Sequence, residues 1–161
     1  MILKNSLLLL LLISFSFIVK AQVAKQSKEA IIKFINAALR KVVGTGDDES
    51  NIVTSTVTET GNIVSDELSD DGLTSRRKEY RYISWKNLNA VKPHPEKFSM
   101  KGSIRLVLSF NSSCDFKFFA RSKLLKNEPV DAFALIIPAQ KFESVKKAFE
   151  RLSEIAKEEN K

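Results

Sequence analysis

Apolar side chains mark the chain out more clearly than any motif does. From Pro138 to Lys157, Phe142, Val145, Ala148, Phe149, Leu152, Ile155 and Ala156 recur at steps of three and four. That spacing puts them on one stripe of a helix whose other faces carry Lys and Glu. Such a stripe needs a surface to lie on, and the β-rich run before it is the candidate. A second stripe, Ile31, Phe34, Ile35, Ala38, Leu39 and Val42, predicts a first helix from about Lys28 to Val43. Ser27 stands at its N-cap, Glu29 in its first turn, and Gly44 and Gly46 at its end.

Between the two stripes the period changes. Val and Thr alternate from Asn51 to Glu59, which reads as a strand. Thr60-Gly61-Asn62 reads as a turn, Ile63 to Leu68 as a return strand, Asp70-Asp71-Gly72 as a second turn and Leu73 to Ser84 as a third strand. Trp85 to Val91 fits either a short helical turn or a strand, and Lys92-Pro93-His94-Pro95 reads as loop. Ser103 to Phe110 and Cys114 to Ala120 are then predicted to pair across a turn at Asn111-Ser112-Ser113. Arg121 to Pro129 reads as a polar loop, and Asp131 to Ile137, apolar after its first residue, as a central strand feeding the last helix. Phe149, Leu152, Val145, Leu106, Leu108, Phe116, Phe118, Leu135 and Ile137 form the expected core, with Trp85 as a plug in it.

The order helix, six to seven antiparallel strands, helix describes an α+β domain. Its second half, from Tyr82-Ile83-Ser84-Trp85-Lys86-Asn87-Leu88 through the strand at Ile104 to Phe133–Ile137 and Lys146-Lys147-Ala148-Phe149-Glu150-Arg151-Leu152, resembles small exported bacterial proteins of pleckstrin-homology-like (PH-like) fold. The resemblance covers about Tyr80 to Lys157. It implies a strongly bent antiparallel sheet capped by one C-terminal amphipathic helix, and it implies no activity. The N-terminal helix is an addition to that pattern.

Met1 to Ala21 has the layout of a secretory signal peptide. Lys4 supplies a positive start, Leu7 to Val19 is apolar except for Ser14 and Ser16, and Val19 and Ala21 fit a small-residue cleavage site. The apolar run is shorter than the ~20 residues of a membrane-spanning helix. The expectation is a single α+β domain over residues 22–161, periplasmic or secreted. Its one cysteine, Cys114, sits among Phe116, Phe118 and Phe119 and is expected to be a buried thiol.

The chemistry expected is mostly negative. Gly44-Thr45-Gly46 lacks the rest of a phosphate loop, and Asp47-Asp48-Glu49 lacks the alternate spacing of a calcium loop. One His and one Cys make no zinc site. Ser112 and Ser113 read as turn residues, and Asp66, Glu67, Asp70 and Asp71 as solvated carboxylates. The chain is therefore read as no enzyme, with no catalytic residue, metal or cofactor. Net charge is +7 over the whole chain, below the density of a nucleic-acid binder, and no nucleic acid is expected.

Charge layout is asymmetric. Asp47 to Asp71 holds eight acidic residues and no basic one, whereas Ser75 to Lys126 holds thirteen basic residues against Glu79, Glu96 and Asp115. The reading is an exported, non-enzymatic binding module. It would dock an anionic protein, polysaccharide or membrane surface through a basic sheet face of Arg76, Lys78, Arg105, Lys117 and Arg121, with Arg81 and Lys101 nearby. The bland alternative is a solvated surface whose acidic and basic halves pair. The other functional alternative is a carrier holding a small apolar ligand between the Phe-rich sheet and the last helix. Mass spectrometry of the exported protein is expected to find a chain beginning at Gln22; a product retaining Met1 would refute the leader.

Overall fold

The structure is a computed structural model and describes residues 27–39, 42–43, 52–68, 75–95 and 102–160. The leader, the Gly44 and Gly46 stop, the Asp47–Glu49 loop, the Asp70–Gly72 turn and Lys101 lie outside the described residues. The element order is α1 (Lys28–Leu39), β1 (Val42–Val43), β2 (Ile52–Val57), β3 (Ile63–Leu68), β4 (Ser75–Arg81), a 3-10 turn (Trp85–Asn87), β5 (Leu88–Pro93), β6 (Ser103–Ala120), β7 (Lys123–Pro138), a second 3-10 turn (Ala139–Lys141) and α2 (Phe142–Glu158). This is an α+β fold with a strongly curled antiparallel sheet and a helix at each end of the chain.

β2 to β4 form the expected antiparallel meander, and the short β1, which was not expected, pairs antiparallel with β2. β4 ends at Arg81, short of the expected Ser84, because Tyr82 adopts a left-handed conformation (φ 58°) with its N–H donating to Asn62 Oδ1 at 2.8 Å. The chain then turns through Trp85–Asn87 into β5, so the ambiguous stretch is a helical turn and then a strand. β5 runs on to Pro93, two residues into the expected loop. Both β4 and β5 pair with the same strand, β6: β5 with its first half and β4 with its second.

β6 corrects the sequence reading most. Ser103–Phe110 and Cys114–Ala120 are not partners across a turn but one strand of 18 residues. Asn111–Ser113 are a bulge in it: the pairing with β7 jumps from Ser109↔Ala132 to Cys114↔Val130. Several β6 residues therefore oppose one on β7, and the long strand bends there. Arg121–Pro129 is likewise no loop. Arg121 and Ser122 alone make the turn, both left-handed (φ 48° and 64°), and β7 starts at Lys123. Two positive φ values are what a two-residue hairpin turn requires to match strand twist. The apolar segment Phe133–Ile137 is thus the second half of a 16-residue β7, which pairs with β6 alone.

α1 stops at Leu39, short of Val43, because Val42–Val43 pair with Ile52 and Val53 as a short strand. The Ser27 cap is present, its Oγ accepting the Ala30 N–H at 3.2 Å. Ile31, Ile32, Ile35 and Leu39 are buried, whereas Phe34 points outward. β1 covers only the start of β2, and Asn36 of α1 covers its end. The Asn36 amide donates to the Val57 carbonyl at 2.8 Å and accepts the Val57 N–H at 2.7 Å, as a neighbouring strand would.

The core lies inside the curl. Leu106, Leu108, Leu135, Ile137, Val145, Phe149 and Leu152 are fully buried, as the periodicity predicted. Phe116 and Phe118 are only partly buried. A chain of ring contacts runs Phe116–Tyr80–Phe133–Phe110–Trp85–Phe149, with centroids 4.0 to 5.8 Å apart, the spacing at which aromatic pairs attract. Trp85 is the plug expected: its indole N–H donates to the Gly61 carbonyl at 2.9 Å. A Cβ at position 61 would come within 2.6 Å of that nitrogen, and Gly61 has φ +82°, so glycine is required there. Phe149→Ala is expected to cost about 3–5 kcal/mol. Denaturant unfolding should show a large share of a typical ~5–15 kcal/mol stability lost, against almost no change for Lys147→Ala.

Candidate functional site

The hairpin of β6 and β7 and the neighbouring strand β4 end together, tied by the Arg121 N–H donating to the Ser75 carbonyl at 2.9 Å. Between Ser75 and Arg81 and between Lys117 and Glu128, eight basic residues stand against Glu79 and Glu128. Strand pairing places them, because directly opposed residues share a face and successive ones alternate. One row runs Glu67–Arg76–Ala120–Lys123, the next Ser65–Lys78–Phe118–Lys126, and the next Ile63–Tyr80–Phe116–Glu128. Tyr80 and Ile63 are buried, so Arg76, Lys78, Lys123 and Lys126 stand on the core side of the sheet, at the end where the core has run out. The alternate rows, Asp66–Arg77–Phe119–Leu124 and Val64–Glu79–Lys117–Asn127, stand on the outer side.

The basic face read from sequence is therefore not one face. Arg76 and Lys78 share the parity of Tyr80, Lys117 has the opposite parity, and Arg121 sits in the turn between the two sides. Arg105 opposes Ile136 in the first half of β6, on the other side of the bulge along the strand. Four of the five residues still gather at one end of the sheet, around it rather than across it. Lys123 and Lys126 belong to the same group and were missed. The signal was Lys123 and Lys126 flanking two leucines, but Pro129 and the polar composition read as loop.

Partners decide which of these charges are available. Arg76 reaches Glu67 at 3.7 Å, Arg77 reaches Asp66 at 3.9 Å, and Lys126 pairs with Glu128 at 2.6 Å. Acidic β3 thus partly neutralises basic β4, as the bland alternative anticipated. Lys78, Lys117, Arg121 and Lys123 make no ion pair among the described residues. Glu79 is the one buried carboxylate here, 6% exposed. It accepts from Arg77 Nε at 2.8 Å and from Arg81 Nε and Nη2 at 2.9 and 2.6 Å. Burial pushes its pKa up, but the hydrogen bonds and charges of Arg81 and Arg77 outweigh burial and hold the carboxyl below its ordinary value.

The chemistry elsewhere is quiet. Cys114 is buried, and burial pushes its thiol up, away from the thiolate a nucleophile needs. Burial also pushes the Tyr80 phenol up to about 12. Ser112 accepts from the Asn87 amide at 3.0 Å. Among the described residues no group of three or more His, Cys, Asp or Glu is placed to hold a metal. An open groove of about 980 Å³ lies against α1, lined by Lys28, Ile32, Lys33, Asn36, Glu59 and Glu159. Its charges are mixed in sign, and two of them, Lys28 and Glu159, pair with each other at 3.0 Å. Among the described residues no helix is long and apolar enough to cross a membrane. Comparison with protein-family models, with curated proteins and with solved structures finds no match to this chain.

The Glu79 cluster gives a pH test. A carboxyl with a lowered folded pKa adds stability that is present above its unfolded value, 4.5, and is lost as pH falls through the folded one. Glu79→Gln should therefore destabilise the protein at neutral pH by about 1–3 kcal/mol. The gap to wild type should close as pH drops below 4.5. Melting curves from neutral to acid pH check this.

Proposed function

We propose that the protein is an exported interaction module, not an enzyme, and that it docks an anionic partner through the basic end of its sheet. The observation that carries this reading is the grouping of Lys78, Lys117, Arg121 and Lys123 around the β4 and β6–β7 end with no ion pair among the described residues. Leaving like charges together costs self-repulsion, and an anionic partner relieves it. Export rests on the leader read from Met1 to Ala21, and the PH-like resemblance bears on fold alone and adds nothing to the function. A carrier is the weaker reading. Val145, Phe149 and Leu152 of α2 are fully buried, the hollow of about 270 Å³ between β5 and α2 is lined mostly by polar residues such as Asn89, Glu150, Glu154 and Lys157, and the 980 Å³ groove has a charged lining.

Exposed charges act chiefly on encounter and are screened over ~10 Å at 0.1 M salt. Binding to dextran sulfate and to anionic vesicles should therefore be measurable at low salt and fall steeply as salt rises. Charge reversal at Lys117, Arg121 and Lys123 together should weaken both by roughly tenfold or more, since each cation is worth about 1 kcal/mol at an anionic surface. Its melting temperature should stay near wild type. A wild-type protein that binds neither probe at low salt would rule the reading out.

A further inference from the structure

We infer that the anionic partner is a lipid bilayer surface and that the β6–β7 hairpin enters its headgroup layer end-on, with Leu124 and Leu125 as the inserted wedge. This rests on the docking role proposed above and names its partner.

The first observation is where apolar surface is exposed. Of five large hydrophobic residues that stand well out of the described fold, three are at this end: Leu68 (46% exposed), Leu124 (47%) and Leu125 (55%). Leu124 and Leu125 follow directly on the turn. The pairing shows why both emerge. Phe118 opposes Lys126 and Phe119 opposes Leu124, so Leu125 has no opposite number and is bulged out of the ladder. A bulge re-aims a side chain that strict alternation would send to the other face. Leu124 lies beside partly buried Phe119 on the outer side, and Leu125 stands free.

The second observation is how the charges surround these leucines. Lys78 and Lys123 lie on one side of the ribbon, Lys117 on the other, and Arg121 in the turn. A flat anionic surface meeting one face of the sheet would touch only some of them. A ribbon pushed end-on into a headgroup layer meets phosphates on both sides and at its tip. The scatter that defeats a single basic face is the arrangement that suits this geometry. A polysaccharide offers leucines no apolar phase. A protein partner would need about 800 Å² from this side, more than one narrow tip presents. A bilayer offers anionic phosphates above hydrocarbon, matching cations above leucines.

The third observation is the turn. Arg121 and Ser122 hold left-handed conformations that glycine or asparagine adopts at less cost. The turn places the Arg121 cation at the extreme tip, and non-glycine residues in such conformations cluster where structure serves a function.

The test uses the exported protein, its N-terminus read by mass spectrometry, and three probes: phosphatidylcholine vesicles, the same vesicles with about one-third phosphatidylglycerol, and dextran sulfate. Ser122→Cys carrying an environment-sensitive fluorophore reports the tip itself, since Cys114 is buried. On anionic vesicles the label should shift to shorter wavelength and be quenched by acyl-chain bromolipids. Leu124→Ser with Leu125→Ser should weaken binding to anionic vesicles roughly tenfold or more, leave dextran sulfate binding unchanged and keep the melting temperature. If that variant holds vesicles as well as wild type does, or the label stays unquenched on bound vesicles, the wedge is refuted and anionic docking stands. If dextran sulfate binds and anionic vesicles do not, the bilayer is the wrong partner. If neither binds, the docking role falls with it.

Discussion

β6 hydrogen-bonds to three other strands, and it manages this because it bends. Before the bulge at Asn111–Ser113 it pairs with β5 and the end of β7; after it, with β4 and the start of β7. The bend also brings Phe110 and Phe116, six residues apart on one strand, onto the same aromatic chain, linked through Phe133 and Tyr80. A straight strand would carry them ~20 Å apart at ~3.3 Å per residue. From Phe110 the contacts pass through Trp85 to Phe149 and so to α2. The sheet curls around this aromatic chain, and the helix closes it. The same bend divides the molecule into a half with a core and a half that carries charge.

The division explains the burial pattern along β6 and β7. In the first half of β6, Leu106, Leu108 and Phe110 are buried; past Cys114 the inward-facing Phe116 and Phe118 are only partly covered. β7 mirrors this, exposed from Lys123 to Asn127 and buried from Phe133 to Ile137 at alternate residues. α2 and α1 cover only the half with the core. The far half of the ribbon is held by backbone pairing with β4. On β4 itself Glu79 lies buried between Arg77 and Arg81, an arrangement that adds little net stability but is costly to break.

How much of this could be read from the sequence differs by element, for physical reasons. The α2 stripe and the β2–β3 hairpin were legible because apolar spacing and turn glycine agreed locally. Asn111–Ser113 misled because three small polar residues in a bend look the same whether a strand reverses or merely kinks. Arg121–Ser122 misled because a left-handed turn without Gly or Asn leaves no compositional mark, and Pro129 sits at a position that opposes Asp115 without breaking the strand. The basic residues were found, but their faces depended on register. Arg76 and Lys78 alternate with Arg77 and Glu79, and only the pairing of Tyr80 with Ile63 and Phe116 tells which set is inward.

The acidic strand next to the basic one shapes the electrostatics of the whole end. Asp66 and Glu67 on β3 sit opposite Arg77 and Arg76, so charge on β4 is damped where it adjoins β3 and Glu79 damps it further. Among the described residues the cations without an ion pair remain on the hairpin: Arg121 and Lys123 at its turn, and Lys117 directly across the ladder from Glu79. Surface ion pairs of this exposure are worth at most ~1 kcal/mol each, so their effect on folding is small. Their effect on the field is larger. By cancelling cations near the middle of the sheet and sparing those at the tip, they concentrate positive potential within about one Debye length, ~10 Å, of the exposed leucines. Charge and apolar surface thus coincide at one end of the molecule, although the sequence distributes them over three strands.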